Sequence, residues 1–232
     1  MPNRHHPRRG SMGYSPRKRA RAETPHIKSW PEGRDKPKIQ GFLGYKAGMT
    51  HAFIVDYRPT STTSGREVMM PVSVVETPPI KIAAIRAYQK SIHGLQTIGE
   101  VWANKLDPEL SKKLPLNKET NKIWNLPKDI DEIRVLVYTQ PKLVTSIPKK
   151  IPEIREMRIS GGSLDEQIEY SKKILGTELK INDAISEGDM LDIIEFKSMS
   201  GIGTSLEPGD YIIFRGQDIN QFALAFITPL KT

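Results

Sequence analysis

The charge of this chain is not spread along it. Residues 1–40 carry 11 Lys/Arg against 3 Asp/Glu, which accounts for the whole formal net charge of +8, and the other 192 residues are balanced at 24 basic and 24 acidic side chains. The leading segment also lacks any sustained helical or alternating apolar period, and Pro2, Pro7, Pro16, Pro25, Pro31 and Pro37 interrupt it. Such a segment cannot bury a core of its own. The fold must come from the balanced remainder, and the leader reads as an arm that orders on something else.

Lys and Arg clustered on a flexible segment displace counterions from a phosphate backbone, so the arm points to a polyanion. RNA is favoured by Arg8, Arg9, Arg17, Arg19 and Arg21, with Tyr14 and Trp30 among them. A guanidinium forks onto phosphate and stacks on a base, whereas an ammonium acts as a point charge. Gly10 and Gly13 permit close backbone approach. A solvated tail or a nuclear-import patch is the competing reading of the same residues. A signal peptide needs an apolar stretch after its basic start, and a membrane-binding segment needs an apolar helical face or a lipidation motif; the arm has none of these. His5 and His6 lack carboxylate or thiolate companions at ligand spacing, so they read as donors to phosphate or base rather than metal ligands.

The chain has no Cys, which removes disulfides, thiolate nucleophiles and Cys-based metal sites. No apolar run approaches the roughly 18 to 20 residues of a spanning helix. Gly41, Gly44 and Gly48 surround Lys46 in the wrong order for a phosphate loop, and Gly161-Gly162 reads as a turn before a helix. Any nucleophilic triad would be built around His51 or His93, and no G-x-S-x-G elbow accompanies them. Asp129 with Asp131 and Glu187 with Asp189 read as solvated turns rather than acid–base pairs. A non-enzyme is expected, with no cofactor, no metal and no small-molecule substrate.

In the body, residues 41–58 combine a glycine-marked turn with a strand over Ala52–Val55, and Ser61–Gly65 makes a polar loop. Residues 68–76 form a second strand that Pro71 restricts to an edge or a bulge. Residues 80–88 form a third. From about residue 93 the chain shows short helical stretches broken by Pro108, Pro115 and Pro127, with Leu106, Leu110 and Leu114 spaced as core contacts. A strand over 133–140 leads into a proline-spaced link. Ser163–Gly176 carries a full helix signature: Ser163 as N-cap, Glu166 as its capping-box partner, Leu164, Ile168 and Leu175 on one face, Lys172 and Lys173 near the end, and Gly176 as stop. Strand character returns over 178–196, around a Glu-Gly-Asp turn, and over 206–216. This pattern predicts a mainly β fold: a barrel interrupted by an α+β insertion. The divisions are an arm at 1–40, a first barrel part at 41–92, an insertion at 93–177 and a shortened second barrel part at 178–232.

Several ordered stretches carry a resemblance. PRRGSMGYSPRKRA at 7–20, GFLGYKAGMTH at 41–51, Glu76-Thr77-Pro78-Pro79, Ile85-Arg86-Ala87-Tyr88, HGLQTIGEVWA at 93–103, LVYTQPKLVTSIPKKIPEI at 136–154 and SLDEQIEYSKKILG at 163–176 closely resemble the universal large-subunit ribosomal protein family L-three in its archaeal and eukaryotic form. The resemblance implies a translation-factor-type β-barrel with an α+β insertion and an N-terminal extension running into ribosomal RNA. It implies a structural constituent of the large subunit in the cytoplasm, binding 23S/28S-type rRNA beside neighbouring ribosomal proteins, with no membrane partner. By matching position, it places rRNA contacts at Arg4, His5, Arg8, Arg9, Arg17, Lys18, Arg19, Arg21, Lys46 and His51. For Lys46 the residues alone also allow a solvated loop lysine, and for His51 a satisfied strand-end histidine. After residues 189–194 the chain departs from the family, without the basic glycine-rich stretch and long loop expected there. A deletion, a frameshift or a reduced family member would each give this pattern. The second functional reading is accordingly a truncated non-ribosomal relative that binds RNA or an assembly chaperone transiently.

Overall fold

The computed structural model describes residues 27, 30–33, 36–57, 59–115, 130–144, 149–185, 191–197, 211–215 and 223–229. Its strands are β1 (Lys38–Gln40), β2 (Phe42–Val55), β3 (Glu67–Glu76), β4 (Ile80–Ser91), β5 (Gly94–Trp102), β6 (Glu132–Tyr138), β7 (Ile154–Ser160), β8 (Glu178–Leu179), β9 (Leu191–Lys197), β10 (Tyr211–Arg215) and β11 (Ala223–Pro229). The helices are α1 (Leu164–Ile174) and the short α2 (Ile181–Ala184), with 3-10 turns at Pro108–Lys112 and Pro141–Leu143. The mainly β expectation is met. Closure into a barrel is not: the strands form two open sheets, ordered β1-β7-β6-β4-β5 with β8 on β4, and β10-β3-β2-β11-β9, and no pairing joins them among the described residues.

Each central strand sits where its residues require. β4 and β6 place Ile82, Ile85, Ile133, Val135 and Val137 in a core with Phe42, Leu43 and Val75 from the other sheet, and all of these are buried. A near-continuous β-branched and aliphatic run suits a strand covered on both faces. β4 of the expected first barrel part pairs with β5 and β6 of the expected insertion. β10 runs parallel to β3 from Val72 onward. Pro71 therefore lies just outside the doubly paired part of β3, where its missing N–H costs no bond to β10.

Four local expectations need correction. The segment holding Gly41, Gly44 and Gly48 is not a turn but a strand from Phe42 that runs through Gly44 and Gly48, with a register shift between Lys46 and Gly48, and Gly41 precedes it at φ 121°. Added at Gly44, a Cβ would lie 2.6 Å from Val75 Cγ1, so the missing side chain lets β3 pack close. Residues 94–102 are a strand rather than the start of helical stretches. Residues 181–184 interrupt the expected run of strand as a helical turn, with Lys180 N donating to Asp183 Oδ2 at 3.0 Å. Leu164 is exposed, and α1 meets the core through Ile168, Tyr170, Ile174 and Leu175 instead. The α1 capping box itself is present: Glu166 N donates to Ser163 Oγ at 3.4 Å and Ser163 N to Glu166 Oε2 at 3.2 Å. Gly176, at φ 75°, ends the helix in the left-handed conformation that glycine adopts without strain.

Candidate nucleic-acid interface

Arg4, His5, Arg8, Arg9, Arg17, Lys18, Arg19 and Arg21 lie outside the described residues. What is described is the point from which the arm springs. Ile27 packs against the main core and Trp30 belongs to it, only 9% exposed. Gly33 N donates to Ser160 Oγ at 2.8 Å, and Gln40 Nε2 donates to the Pro31 carbonyl at 2.5 Å. Gly33 also approaches the chain so closely that a Cβ there would lie 3.0 Å from Gly161 N. β1 then pairs with β7. Trp30, which the sequence sets among the cations of the arm, is instead the bolt that fixes the arm's base to the body.

The two candidate residues of the body are placed differently from each other. Lys46 lies in β2 opposite Val75 and is 6% exposed, so it is not a solvated loop lysine. His51 is exposed in the same strand, opposite Pro71, its ring edge-on to Phe53 at 6.2 Å. Met49, Phe53 and Met69 are exposed near it. The β2–β3 pairing continues here, beyond the stretch of β2 that β11 covers.

The balanced charge of the body resolves into local matching. Arg86, Arg134 and Arg158 stand side by side across β4, β6 and β7, an arrangement that like-charge repulsion disfavours unless carboxylates intervene. They do intervene. Arg86 meets Glu100 at 2.5 Å and Glu156 at 3.5 Å, Arg134 meets Glu132 at 2.6 Å and Glu156 at 3.6 Å, and Arg158 meets Glu132 at 3.7 Å. Arg134 also lies 4.8 Å above the Tyr88 ring, a cation–π contact. Arg86 and Arg134 are each shared between two carboxylates, so the charge of this row is largely matched within the body.

A second cluster lies at one end of this sheet. Glu153, with a side chain 3% exposed, receives Lys113 and Lys149 and stands 3.8 Å from Arg155. Burial pushes the Glu153 carboxyl up, but hydrogen bonds from Lys113 and Lys149 outweigh it and hold the group below the usual carboxylate range. Thr139 ties the cluster to the core: its Oγ1 accepts from Glu153 N and from Tyr45 Oη, each at 3.0 Å. Burial pushes the Tyr45 hydroxyl up to about 12. A cavity of about 640 Å³ beside the cluster is lined by Arg86, Trp102, Lys113, Leu136, Glu153 and Arg155, among others, and neither His51 nor His93 lines it. Among the described residues no group of three or more His, Cys, Asp or Glu is placed to hold a metal ion.

The family model described as Ribosomal protein L3 matches residues 1–128 and 116–205, taking in the arm, β1 to β9 and both helices. The chain belongs to the ribosomal protein L3 family. Its relatives include the large ribosomal subunit protein uL3 of Archaeoglobus fulgidus, 46% identical over 194 residues, which cover 82% of this chain and 58% of the relative. The uL3 of Methanobrevibacter smithii is 47% identical over 200 residues, 84% of this chain and 59% of the relative. That of Methanothrix harundinacea is 40% identical over 203 residues, 85% and 61%. The chain thus spans about three fifths of the length of these relatives. β10 and β11 lie beyond the part matched by the L3 family model, yet they pair with β3 and β2 inside it.

Proposed function

We propose that this chain is a structural constituent of the large ribosomal subunit, acting in the cytoplasm by binding large-subunit rRNA beside neighbouring ribosomal proteins, without catalysis. The observation that carries this reading is the confinement of all excess charge to residues 1–40, on an arm whose base is held by Trp30 in the core. Folded RNA brings phosphates close together at a cost, and cations inserted between helices lower it. The rigid body sets where the arm begins, which reduces the entropy lost when it orders on RNA. Arg4, His5, Arg8, Arg9, Arg17, Lys18, Arg19 and Arg21 make the principal contacts, and His51 presents a donor on the body. Lys46, nearly buried, contributes its charge from beneath the surface.

The translation-factor-type barrel of the family belongs, on this reading, to the five-stranded sheet. Its support is the bulge between Lys46 and Gly48, the device by which a sheet curls towards closure. The arm, barrel and insertion are proposed to meet near residues 40, 92 and 177, with β4 falling in the first barrel part by sequence while pairing with strands of the insertion.

Sedimentation tests the function. Full-length chain mixed with archaeal ribosomal subunits stripped of their own uL3 is expected to travel with the large-subunit particle in a sucrose gradient. Retention at the top of the gradient, or equal binding to small-subunit particles, contradicts the proposal and favours a non-ribosomal RNA or chaperone binder.

A further inference from the structure

The body is neutral as a whole but not neutral everywhere. Two loops, residues 104–115 and 139–153, carry Lys105, Lys112, Lys113, Lys142, Lys149 and Lys150 against three acids, Asp107, Glu109 and Glu153. The fold brings these loops together: Lys142 bridges to Glu109, and Lys113 and Lys149 converge on Glu153. Leu110 is buried against Tyr138, fixing the first loop to the end of β6.

Each of these three acids is already engaged. Asp107 takes Lys81 at 3.1 Å and a hydrogen bond from Tyr138 Oη at 3.0 Å, Glu109 takes Lys142, and Glu153 takes two lysines with Arg155 nearby. Lys105, Lys112 and Lys150 are exposed and make no ion pair among the described residues. Lys112 and Lys150 are each next in sequence to a lysine that meets Glu153, and Lys105 lies two residues before Asp107 on the first of the two joined loops, so the excess charge of this loop end is local in the fold where charge counting along the chain conceals it.

We infer that this loop end is a second RNA-contact surface, separate from the arm, which takes the phosphate backbone of folded RNA through Lys105, Lys112 and Lys150. The inference rests on the rRNA-binding reading above and adds to it a place on the body. Phosphate is favoured over a protein partner by composition: interface cores between proteins are depleted in Lys and built on aromatic anchors, whereas only Leu143 and Ile151 are exposed large apolar residues among the described parts of these loops. A lysine surface reads backbone and not bases, so this face would set orientation while the arm supplies most of the grip.

The test uses the full chain and archaeal large-subunit rRNA across a salt series. Replacing Lys105, Lys112 and Lys150 together by Gln is expected to flatten the plot of log affinity against log salt by about 2 to 3, at roughly 0.7 to 0.9 for each phosphate no longer neutralised. Replacing Lys90, Lys172 and Lys173, exposed elsewhere on the body, is expected to leave the slope unchanged. All six positions are exposed, so thermal unfolding midpoints close to the parent's check that the fold survives. An unchanged slope in the first variant, or equal flattening in both, overturns the inference. Displacement of the RNA from this face by polyglutamate as effectively as by competing RNA also overturns it, and points to an acidic protein. A chain beginning at Ile27, which keeps Ile27 and Trp30 in the core, separates the two readings: if its slope falls while the Lys105/Lys112/Lys150 variant matches the parent, the second surface fails and the arm's role stands.

Discussion

Phe42→Ala is expected to cost about 3 to 5 kcal/mol of unfolding free energy in urea titration, while Phe53→Ala, further along the same strand, changes it by less than about 0.5 kcal/mol. Both residues are in β2. Phe42 is fully buried among core residues of both sheets, so truncation removes apolar contacts and leaves a cavity that rigid neighbours on β4 and β6 cannot fill. Phe53 is 69% exposed, on the stretch of β2 that only β3 covers among the described residues. Equal costs at the two positions would mean that the outer part of the β2–β3 hairpin is packed in a way the fold described above does not contain.

Glu153→Gln is the second large effect expected. It removes the carboxylate on which Lys113 and Lys149 converge, beside the buried Arg155. Breaking a buried charge cluster by deleting one partner costs about 3 to 5 kcal/mol, and the lower end applies because the two lysines can turn to water. The pH dependence has a definite sign. The Glu153 carboxyl is held below its ordinary range in the folded chain, so the folded state binds its proton less readily than the unfolded state. Its stabilisation is therefore complete above the unfolded carboxylate value of about 4.3 and is lost as the pH falls through the folded value. The stability gap between the parent and Glu153→Gln should be constant near neutrality and narrow only in acid. A gap that narrows towards alkaline pH would refute this account of the cluster.

The parts of this fold that can be read from residues alone are those with a single dominant cause. α1 has its capping box and glycine stop in the sequence, and β4 and β6 have continuous apolar runs. β5 is illegible because most of it is exposed, so no apolar period marks it. β7 is hidden for a different reason. Its inward residues Arg155, Met157 and Ile159 alternate with Ile154, Glu156 and Arg158, and the charges become intelligible only when Arg86, Arg134 and Glu132 arrive from other strands. β11 is a short apolar run, which periodicity alone cannot assign to strand or helix; its place between β2 and β9 decides it.

The candidate site divides along the same line. Charge counting isolates the arm because its excess is local in sequence, whereas the lysine surface at 104–115 and 139–153 is local only in space. Trp30 shows the limit of reading by neighbourhood. It sits among cations in the chain and among Ile39, Ile159 and Ile168 in the core group of the folded protein.

The claim on which this account depends is that the cationic leader supplies the principal grip on rRNA, and a salt series measures it most directly. Affinity of the full chain for archaeal large-subunit rRNA is compared with that of a chain beginning at Ile27, which keeps Ile27 and Trp30 in the core. Seven Arg and Lys candidates in the arm, Arg4, Arg8, Arg9, Arg17, Lys18, Arg19 and Arg21, are expected to contribute about 5 to 6 to the log–log slope if each meets a phosphate. The shorter chain should lose that much and keep only the weaker dependence of the body. Superimposable slopes for the two chains would contradict the account.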